Sequence, residues 1–341
     1  MKTWIKQWNT ISILKKGFQE HLKCAREVYS LADEILSCDD SVEDCYRVSM
    51  GTIPEELFTL RRNLFSTIFQ SVYQLLGISE ERRHLYGQIN HLNRIWVTST
   101  DNMLDNENNI SLPIEMGGES LIMSNVVAIM TADRILSSIL SNSVENGDLT
   151  PDEAKKLSLG TLQSLLPSAA QEASEEVGVE TRPPPDVVLN SIHRYKTGIL
   201  FHIPFVGPTL IEEDCDWDSG KAERMKSALL DFGLGCQLLD DIRDVARDFI
   251  EKRNNYLLSM LAEESPEVLE HWQHNQYDVD DRLYREVPEQ TQTVARLARK
   301  YFISSTEALA KEGLPLYTSA GQKLFVGVMF KMLDLQELAN E

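Results

Sequence analysis

Two stretches of this 341-residue chain space carboxylates in the way a hard cation requires. In Gly235-Cys236-Gln237-Leu238-Leu239-Asp240-Asp241-Ile242-Arg243-Asp244-Val245-Ala246-Arg247-Asp248, read as a helix, Asp240, Asp244 and Asp248 stand one above another, because residues four apart share a face. Like charges stacked this way destabilise a helix unless something compensates. Arg243 and Arg247 on the neighbouring stripe would compensate as ordinary ion pairs. A divalent cation, which takes carboxylate oxygens, would compensate as a metal site. The preceding run, Ala228 to Leu239, is nearly apolar, so the acids close a buried helix, where carboxylates must be paired or metal-bound. A second stretch, Asn93 to Glu107, carries Asp101 and Asp105 four apart after a mostly apolar helical run. Two such clusters on two helices are expected to face each other across a bundle core, where bundle proteins build metal sites. An EF-hand starting at Asp105 is excluded, since Ile110 falls where its turn needs Gly and Met116 where the bidentate Glu belongs.

The elements that must hold these acids are helices. Helical periodicity runs nearly throughout, and no strand alternation of useful length appears. Residues 9 to 38 read as amphipathic helix ending near Ser37-Cys38-Asp39-Asp40. A helix is expected from Thr52 as cap through Leu60, Leu64, Ile68 and Val72 to about Gly77. Another starts at Ser79-Glu80-Glu81-Arg82 and carries the first acidic stretch. Ser111-Leu112-Pro113 and Gly117-Gly118 break the chain before an apolar helix over 119 to 143. Gly147 to Glu153 is a loop and a capped start, with Pro151 in the first helical position. Pro183-Pro184-Pro185 and Glu212 to Gly220 are connections. Residues 262 to 290 read as short helices and loops, and 292 to 338 as helix again. The expected architecture is one all-α domain over residues 1–341, a bundle of roughly ten to twelve helices with a central cavity.

Composition narrows the partners. A net charge of −20 argues against nucleic acid, whose phosphates it would repel. A diphosphate is not excluded, because bound divalent cations would dominate its local field. Five cysteines at 24, 38, 45, 215 and 236, with no CxxC pair, predict free thiols and a reducing, cytoplasmic compartment. The N-terminus lacks the apolar core of a signal peptide, and no run of about twenty apolar residues predicts a transmembrane segment. Trp4, Ile5, Trp8, Ile11, Leu14 and Phe18 among lysines read as a first bundle helix, with an interfacial helix as the alternative.

Gln237-Leu238-Leu239-Asp240-Asp241-Ile242-Arg243-Asp244 resembles the second aspartate-rich motif of the class I isoprenoid synthases, the superfamily of trans-prenyl diphosphate synthases and class I terpene cyclases. Asp101-Asn102-Met103-Leu104-Asp105 resembles a reduced first motif, DxxxD in place of DDxxD. Tyr195-Lys196-Thr197-Gly198-Ile199-Leu200-Phe201 is similar to the family's Lys-Thr-Gly segment in a Gly-broken helix, and the resemblance spans about residues 55 to 260. It implies an isoprenoid-synthase bundle and an isoprenyl diphosphate substrate. It also implies several Mg²⁺ ions, with Mn²⁺ as a substitute, and admits a homodimer. Asp101, Asp105, Asp240, Asp241 and Asp244 become the metal-binding and catalytic acids by resemblance; periodicity adds Asp248, and Glu107 is a candidate extension of the first cluster. Lys196 becomes the diphosphate lysine, with Arg194, Lys252 and Arg253 as further donors whose fork or charge suits phosphate oxygens.

Departures from the family bear on the reaction. Chain-elongating members carry an Arg pair after the first motif, whereas Asn106 to Pro113 here contains no basic residue. Their upstream Gly-Lys-Arg segment has only Leu60-Arg61-Arg62-Asn63 as its counterpart. A second diphosphate therefore lacks an evident seat, which points to a one-substrate terpene cyclase of a prenyl-synthase-like branch. The alternatives are a prenyltransferase, chain-elongating or acting on another acceptor, and an inactive helical scaffold.

Overall fold

Helical periodicity becomes helix almost everywhere it occurs. In the computed structural model the chain forms α1 (Lys2–Leu36), α2 (Leu64–Leu75), α3 (Glu80–Asp105), α4 (Leu121–Glu145), α5 (Pro151–Glu175), α6 (Pro185–Val187) and α7 (His193–Lys196). It continues as α8 (Ile203–Ile211), α9 (Ser219–Arg243), α10 (Val245–Ile250), α11 (Tyr256–Glu264), α12 (Pro266–Gln273), α13 (Pro288–Lys311) and α14 (Gln322–Met332). The structure describes residues 2–37, 43, 46–118, 120–212, 218–317 and 321–339, with side chains from residue 12 onward. The side chains of the Trp4 to Ile11 part of the amphipathic pattern are not described, and Cys38, Cys45 and Cys215 and residues 213–217 of the connection before α9 lie outside the described residues. Cys24 and Cys236 are free thiols. The fold class is all-α. Among the described residues its small exception is an antiparallel pair, β1 (Val48–Met50) with β2 (Ile114–Met116), in the register Val48↔Met116, Ser49↔Glu115, Met50↔Ile114.

The chain divides into two compact units, Met1–Leu162 with Pro204–Asp218, and Gln163–Ile203 with Ser219–Glu341. In the first, α1 buries His21, Cys24, Ala25, Val28, Tyr29 and Ala32 at helical spacing. Gly17 lets α1 approach α2 closely, since a Cβ there would stand 2.5 Å from Ser71 Oγ and 2.9 Å from the Thr67 carbonyl oxygen. The helix expected from Thr52 starts only at Leu64. Asn63 explains the delay: its side-chain amide donates to the carbonyls of Leu57 (2.7 Å) and Thr59 (2.8 Å), satisfying a turn instead of continuing a helix. Ser79 caps α3 by accepting from Arg82 N. Thr150 and Glu153 form a reciprocal capping box around Pro151 at the start of α5, with Thr150 N donating to Glu153 Oε2 at 2.7 Å and Glu153 N to Thr150 Oγ1 at 3.2 Å. On α4, Ala128, Ala132, Ile135, Leu136, Ile139 and Leu140 are buried, whereas Ile122, Met123 and Met130 are exposed. By length and composition alone, α4 is the one helix among the described residues long and apolar enough to cross a membrane.

A sealed histidine pair lies in the core of the first unit. His21 Nε2 pairs with Asn63 Oδ1 at 2.9 Å, which also accepts from Arg94 Nη1 at 2.7 Å. The His91 ring stands edge-on to His21 and Tyr29, with centroids 5.5 and 5.2 Å away, and neither of its nitrogens has a hydrogen-bond partner among the described residues. Burial lowers His21 to about 4, with Arg94 adding to the shift and Asn63 opposing it. Burial, His21 and Arg94 lower His91 well below the ordinary imidazole value. A base with a lowered folded pKa is protonated first in the unfolded chain. Its contribution is therefore intact above about pH 6.5 and lost as the pH falls towards 4, at about 1.4 kcal/mol per pH unit for each such His. Urea titrations between pH 7 and pH 5 are expected to show this fall, and His91→Phe to make it shallower by about half; an unchanged slope would mean that His91 is already protonated when folded.

In the second unit α9 packs along α13. Phe232 of α9 meets Phe201 (centroids 5.7 Å apart), Phe302 (5.2 Å) and Phe325 (6.1 Å) in an aromatic core. Gly233 brings the broken segment against α9: a Cβ there would lie 2.6 Å from the Phe201 ring and 3.2 Å from Gly198 Cα. The expected break at Gly198 is present. A π-helical turn over Val188–Ile192 leads into α7, and a 3-10 turn over Gly198–His202 follows it.

Candidate functional site

The second acidic element ends α9. Asp244 leaves the regular helix (φ −97, ψ 14) and stands between α9 and α10. On an unbroken helix neighbours i and i+1 point apart; this break lets Arg243 grip Asp244 with a two-pronged contact, Nε to Oδ1 at 2.7 Å and Nη2 to Oδ2 at 2.6 Å. The same Nη2 is 2.8 Å from Asp240 Oδ1, one turn back. Two of the acids thus converge on one cationic centre. Burial pushes the Asp240 carboxyl up to about 7; Arg243 opposes the shift, and Asp244 and Asp241 add to it. Water reaching the 38 % exposed Asp240 side chain screens part of that push.

Asp241 and Asp248 are committed elsewhere. Asp241 is buried, one hundred degrees round the helix from Asp240 and on the side of Gln237. Its Oδ1 accepts from Gln237 Nε2 at 3.1 Å. Its Oδ2 accepts from His193 Nε2 and from the Tyr256 backbone N–H, each at 2.6 Å. Thr197 Oγ1 in turn donates to Gln237 Oε1. Asp248 Oδ2 accepts from Asn255 Nδ2 at 2.7 Å, and Asn255 Nδ2 also reaches the Asp241 carbonyl at 2.7 Å while Asn255 Oδ1 caps α11. Burial holds Asp248 well above the ordinary carboxyl range, although Lys196 and Asn255 pull it down.

The basic candidates divide. Lys196 turns inward: its Nζ is 3.4 Å from Glu172 Oε2 and 3.9 Å from Glu175 Oε2 on α5. Glu175 is fixed by Gln171 Nε2 at 2.8 Å and by the Asn254 backbone N–H at 3.1 Å. Burial alone would lower the Lys196 ammonium, but Glu172, Glu175, Asp248 and Asp241 outweigh it and raise its pKa. Glu172 is itself held high, burial outweighing its neighbour Lys196. Arg194 is exposed, two residues before Lys196. Lys252 is exposed at a left-handed φ of 57, and its carbonyl accepts from Val179 N at 2.8 Å. Arg253 is folded onto Glu251, Nε to Oε2 at 2.7 Å, and its carbonyl takes Arg182 Nη1 at 2.7 Å.

The first acidic element belongs to the other unit. Asp101 is exposed and Asp105 half-buried on the last turns of α3, which Asn106 closes in the left-handed region at φ 53. Asn102, where a fuller motif would have its second acid, is buried and structural. Its Nδ2 donates to the Asn109 carbonyl (2.9 Å) and Asn125 Oδ1 (3.1 Å), and its Oδ1 accepts from Asn109 N at 2.9 Å. Glu107 Oε2 accepts from Asn109 Nδ2 at 2.7 Å. Beside this loop lies a cavity of about 1020 Å³, lined by amides and hydroxyls such as Asn108, Asn109, Ser111 and Ser124, and among the described residues its lining holds no Lys, Arg or His.

The donor set can be tested against a hard divalent ion. Among the described residues no group of three or more His, Cys, Asp and Glu is preassembled for a metal. Asp240 and Asp244 nevertheless fit one: both are carboxylates, both keep exposed edges (38 and 20 %), and both already surround a positive centre, the Arg243 guanidinium. The compensation by Arg243 foreseen in the sequence is therefore realised. His193, Asn255, Glu172 and Glu175 were not foreseen. Only Gln237, four residues before Asp241, carried a local signal.

No protein-family model matches the chain, and no curated protein matches its sequence. Its fold has clear counterparts among solved structures. A geranylgeranyl pyrophosphate synthetase from Pyrococcus horikoshii superposes with a TM-score of 0.59 at 13 % identity, over 93 % of this chain and 98 % of that one. A polyprenyl synthase from Caulobacter crescentus, complexed with calcium and isoprenyl diphosphate, gives 0.58 at 14 % identity, over 96 % and 98 %. A geranylgeranyl pyrophosphate synthetase from the archaeon Geoglobus acetivorans gives 0.53 at 15 % identity, over 95 % and 99 %. The fold of this chain is that of the class I isoprenoid synthases.

Proposed function

We propose that the protein is a diphosphate-releasing enzyme acting on an isoprenyl diphosphate, and that it transfers the isoprenyl group to an acceptor. The observation that carries the reading is the convergence of Asp240 and Asp244 on one cationic centre in a fold shared with prenyl synthases. The described relatives in structure are prenyl and polyprenyl diphosphate synthases, which weighs towards transfer and away from the cyclase expected from the missing arginines. Those arginines still bear on the acceptor. The loop Asn106 to Pro113 offers no cation, the cavity beside it has none among the described residues of its lining, and Arg62 is engaged by Glu56 at 3.3 Å. These features support an acceptor without a diphosphate of its own. The same features keep cyclisation as the second reading.

In this reading Asp240 and Asp244 would hold divalent ions in the second unit, and Asp101 and Asp105 on α3 are the ion ligands that the resemblance proposes for the first. Ions held there would supply positive charge against a leaving diphosphate. Exposed Arg194 offers a fork to phosphate oxygens. Asp241 and Asp248 anchor the helix end that presents the ligands. Incubation with geranyl, farnesyl or geranylgeranyl diphosphate and Mg²⁺, with isopentenyl diphosphate, with a diphosphate-free aromatic acceptor, or with neither, tests the reading through acceptor-dependent diphosphate release and product mass. Mg²⁺-dependent release is expected, and Asp101→Asn and Asp240→Asn are each expected to lower it on the order of 10²- to 10³-fold. Full release as a cyclised hydrocarbon or alcohol without any acceptor would favour the cyclase. No release from any of the three would leave the scaffold.

A further inference from the structure

We propose that the Arg243 guanidinium is a built-in cation of the second acidic element, which a divalent ion must displace to bind. The proposal rests on the reading of Asp240 and Asp244 as ion ligands. Asp241 is buried with both oxygens taken up by His193, Gln237 and Tyr256 N, and Asp248 gives Oδ2 to Asn255, whereas Asp240 and Asp244 both turn their carboxylates to the one Arg243 guanidinium. Arg243 occupies both. It contacts Asp244 through two parallel bonds of 2.7 and 2.6 Å and reaches Asp240 at 2.8 Å with the nitrogen that also serves Asp244. A divalent ion coordinating an oxygen of each acid needs the space where that nitrogen stands, and the charge of the ion would repel the guanidinium at such distances.

The physical reason for such a device lies in the metal-free protein. Asp240, Asp241 and Asp244 crowd one helix end, with Asp240 and Asp244 both against the Arg243 guanidinium. Without Arg243 two carboxylates would face each other uncompensated. The left-over conformational freedom of the arginine is what makes the contact reversible: its side chain is 37 % exposed, and so has solvent to swing into. Arg243 therefore trades apo stability against ion affinity, and sets the ion concentration at which the element switches from an internal to an external cation.

Mn²⁺ binding in the presence of pyrophosphate, followed by electron paramagnetic resonance on the full chain, tests this with wild type, Arg243→Gln, Arg243→Lys and Asp240→Asn. Arg243→Gln is expected to bind Mn²⁺ about tenfold more tightly, the equivalent of losing a competing contact of about 1.4 kcal/mol. Arg243→Lys, which keeps the charge but not the fork, should fall between Arg243→Gln and wild type. Thermal melts check that the variants fold: Arg243→Gln should melt lower without ions and gain more from Mn²⁺ with pyrophosphate than wild type gains. Equal or weaker Mn²⁺ binding in Arg243→Gln, with binding lost in Asp240→Asn, would overturn the competition while leaving the acids as ion ligands. Mn²⁺ binding that Asp240→Asn leaves untouched, or no binding in any of the four, would overturn both the proposal and the ion-ligand reading.

Discussion

Asp241→Asn is expected to lower the stability of the ion-free protein by about 3 to 5 kcal/mol, although its neighbour Asp240→Asn should leave it unchanged or slightly raise it. The two residues are adjacent in sequence and belong to the same motif, yet their surroundings are opposite. Asp241 is 1 % exposed and accepts from three donors, His193 Nε2, Gln237 Nε2 and Tyr256 N. An amide in its place loses the charge and turns an NH₂ towards donors, so at least one buried N–H is left without an acceptor. Asp240 is raised to about 7 chiefly by burial, with Asp244 and Asp241 adding to the shift. An acid whose folded pKa lies above its unfolded one holds a proton that the unfolded chain has released. Asp240 therefore weakens the ion-free fold increasingly as the pH rises from about 4 to about 7, and Asp240→Asn should remove that decline. Urea titration of both variants at pH 5 and pH 8 reads all of this from midpoints at constant slope. A loss below 1 kcal/mol for Asp241→Asn would mean that the His193 and Tyr256 contacts contribute nothing to folding.

What the sequence made visible and what it did not follows from range. Contacts within one turn were legible: the Thr150–Glu153 cap, the break at Gly198, and Arg243 beside stacked acids all depend on residues no more than four apart. Contacts across the chain were not. His193 meets Asp241 from 48 residues away and Lys196 meets Glu172 from the far side of a proline-rich connection, and no periodicity encodes either pairing. The strand pair escaped because three residues are too few to show alternation. The late start of α2 escaped for a different reason: Asn63 reads as a neutral helix residue until its amide is seen to serve the carbonyls of Leu57 and Thr59. The apolar run of α4 was legible as a helix, but which of its faces is covered was not, and Met123 and Met130 turn outward. The acids were found by type and spacing; that Asp241 is sealed among donors while Asp240 and Asp244 share Arg243 depended on helix phase and on partners brought in by the fold.

Lys196→Ala is expected to destabilise the ion-free protein by about 3 kcal/mol or more, which a lysine reserved for a diphosphate would not do. Its Nζ lies 3.4 Å from Glu172 Oε2 and 3.9 Å from Glu175 Oε2, and its side chain is only 15 % exposed. The field of these two acids, with Asp248 and Asp241 behind them, raises its pKa in spite of burial. Truncation would leave two buried carboxylates facing each other. Glu172, already held above its ordinary range by burial, can take up a proton and limit the loss, so the deficit should be smaller at pH 5 than at pH 8. Replacing both sides of the pair separates the interaction from the site: Lys196→Met with Glu172→Gln should recover most of the stability lost by Lys196→Ala, since what is costly is the unmatched charge. Pyrophosphate affinity, measured with Mg²⁺ on the same proteins, reads the other role. If Lys196→Ala melts and denatures like wild type while pyrophosphate binding falls tenfold or more, the lysine is a ligand group and its contact with Glu172 is incidental. If stability falls and the double variant restores it, Lys196 ties α7 to α5, and diphosphate must be met by other donors, with exposed Arg194 first among them.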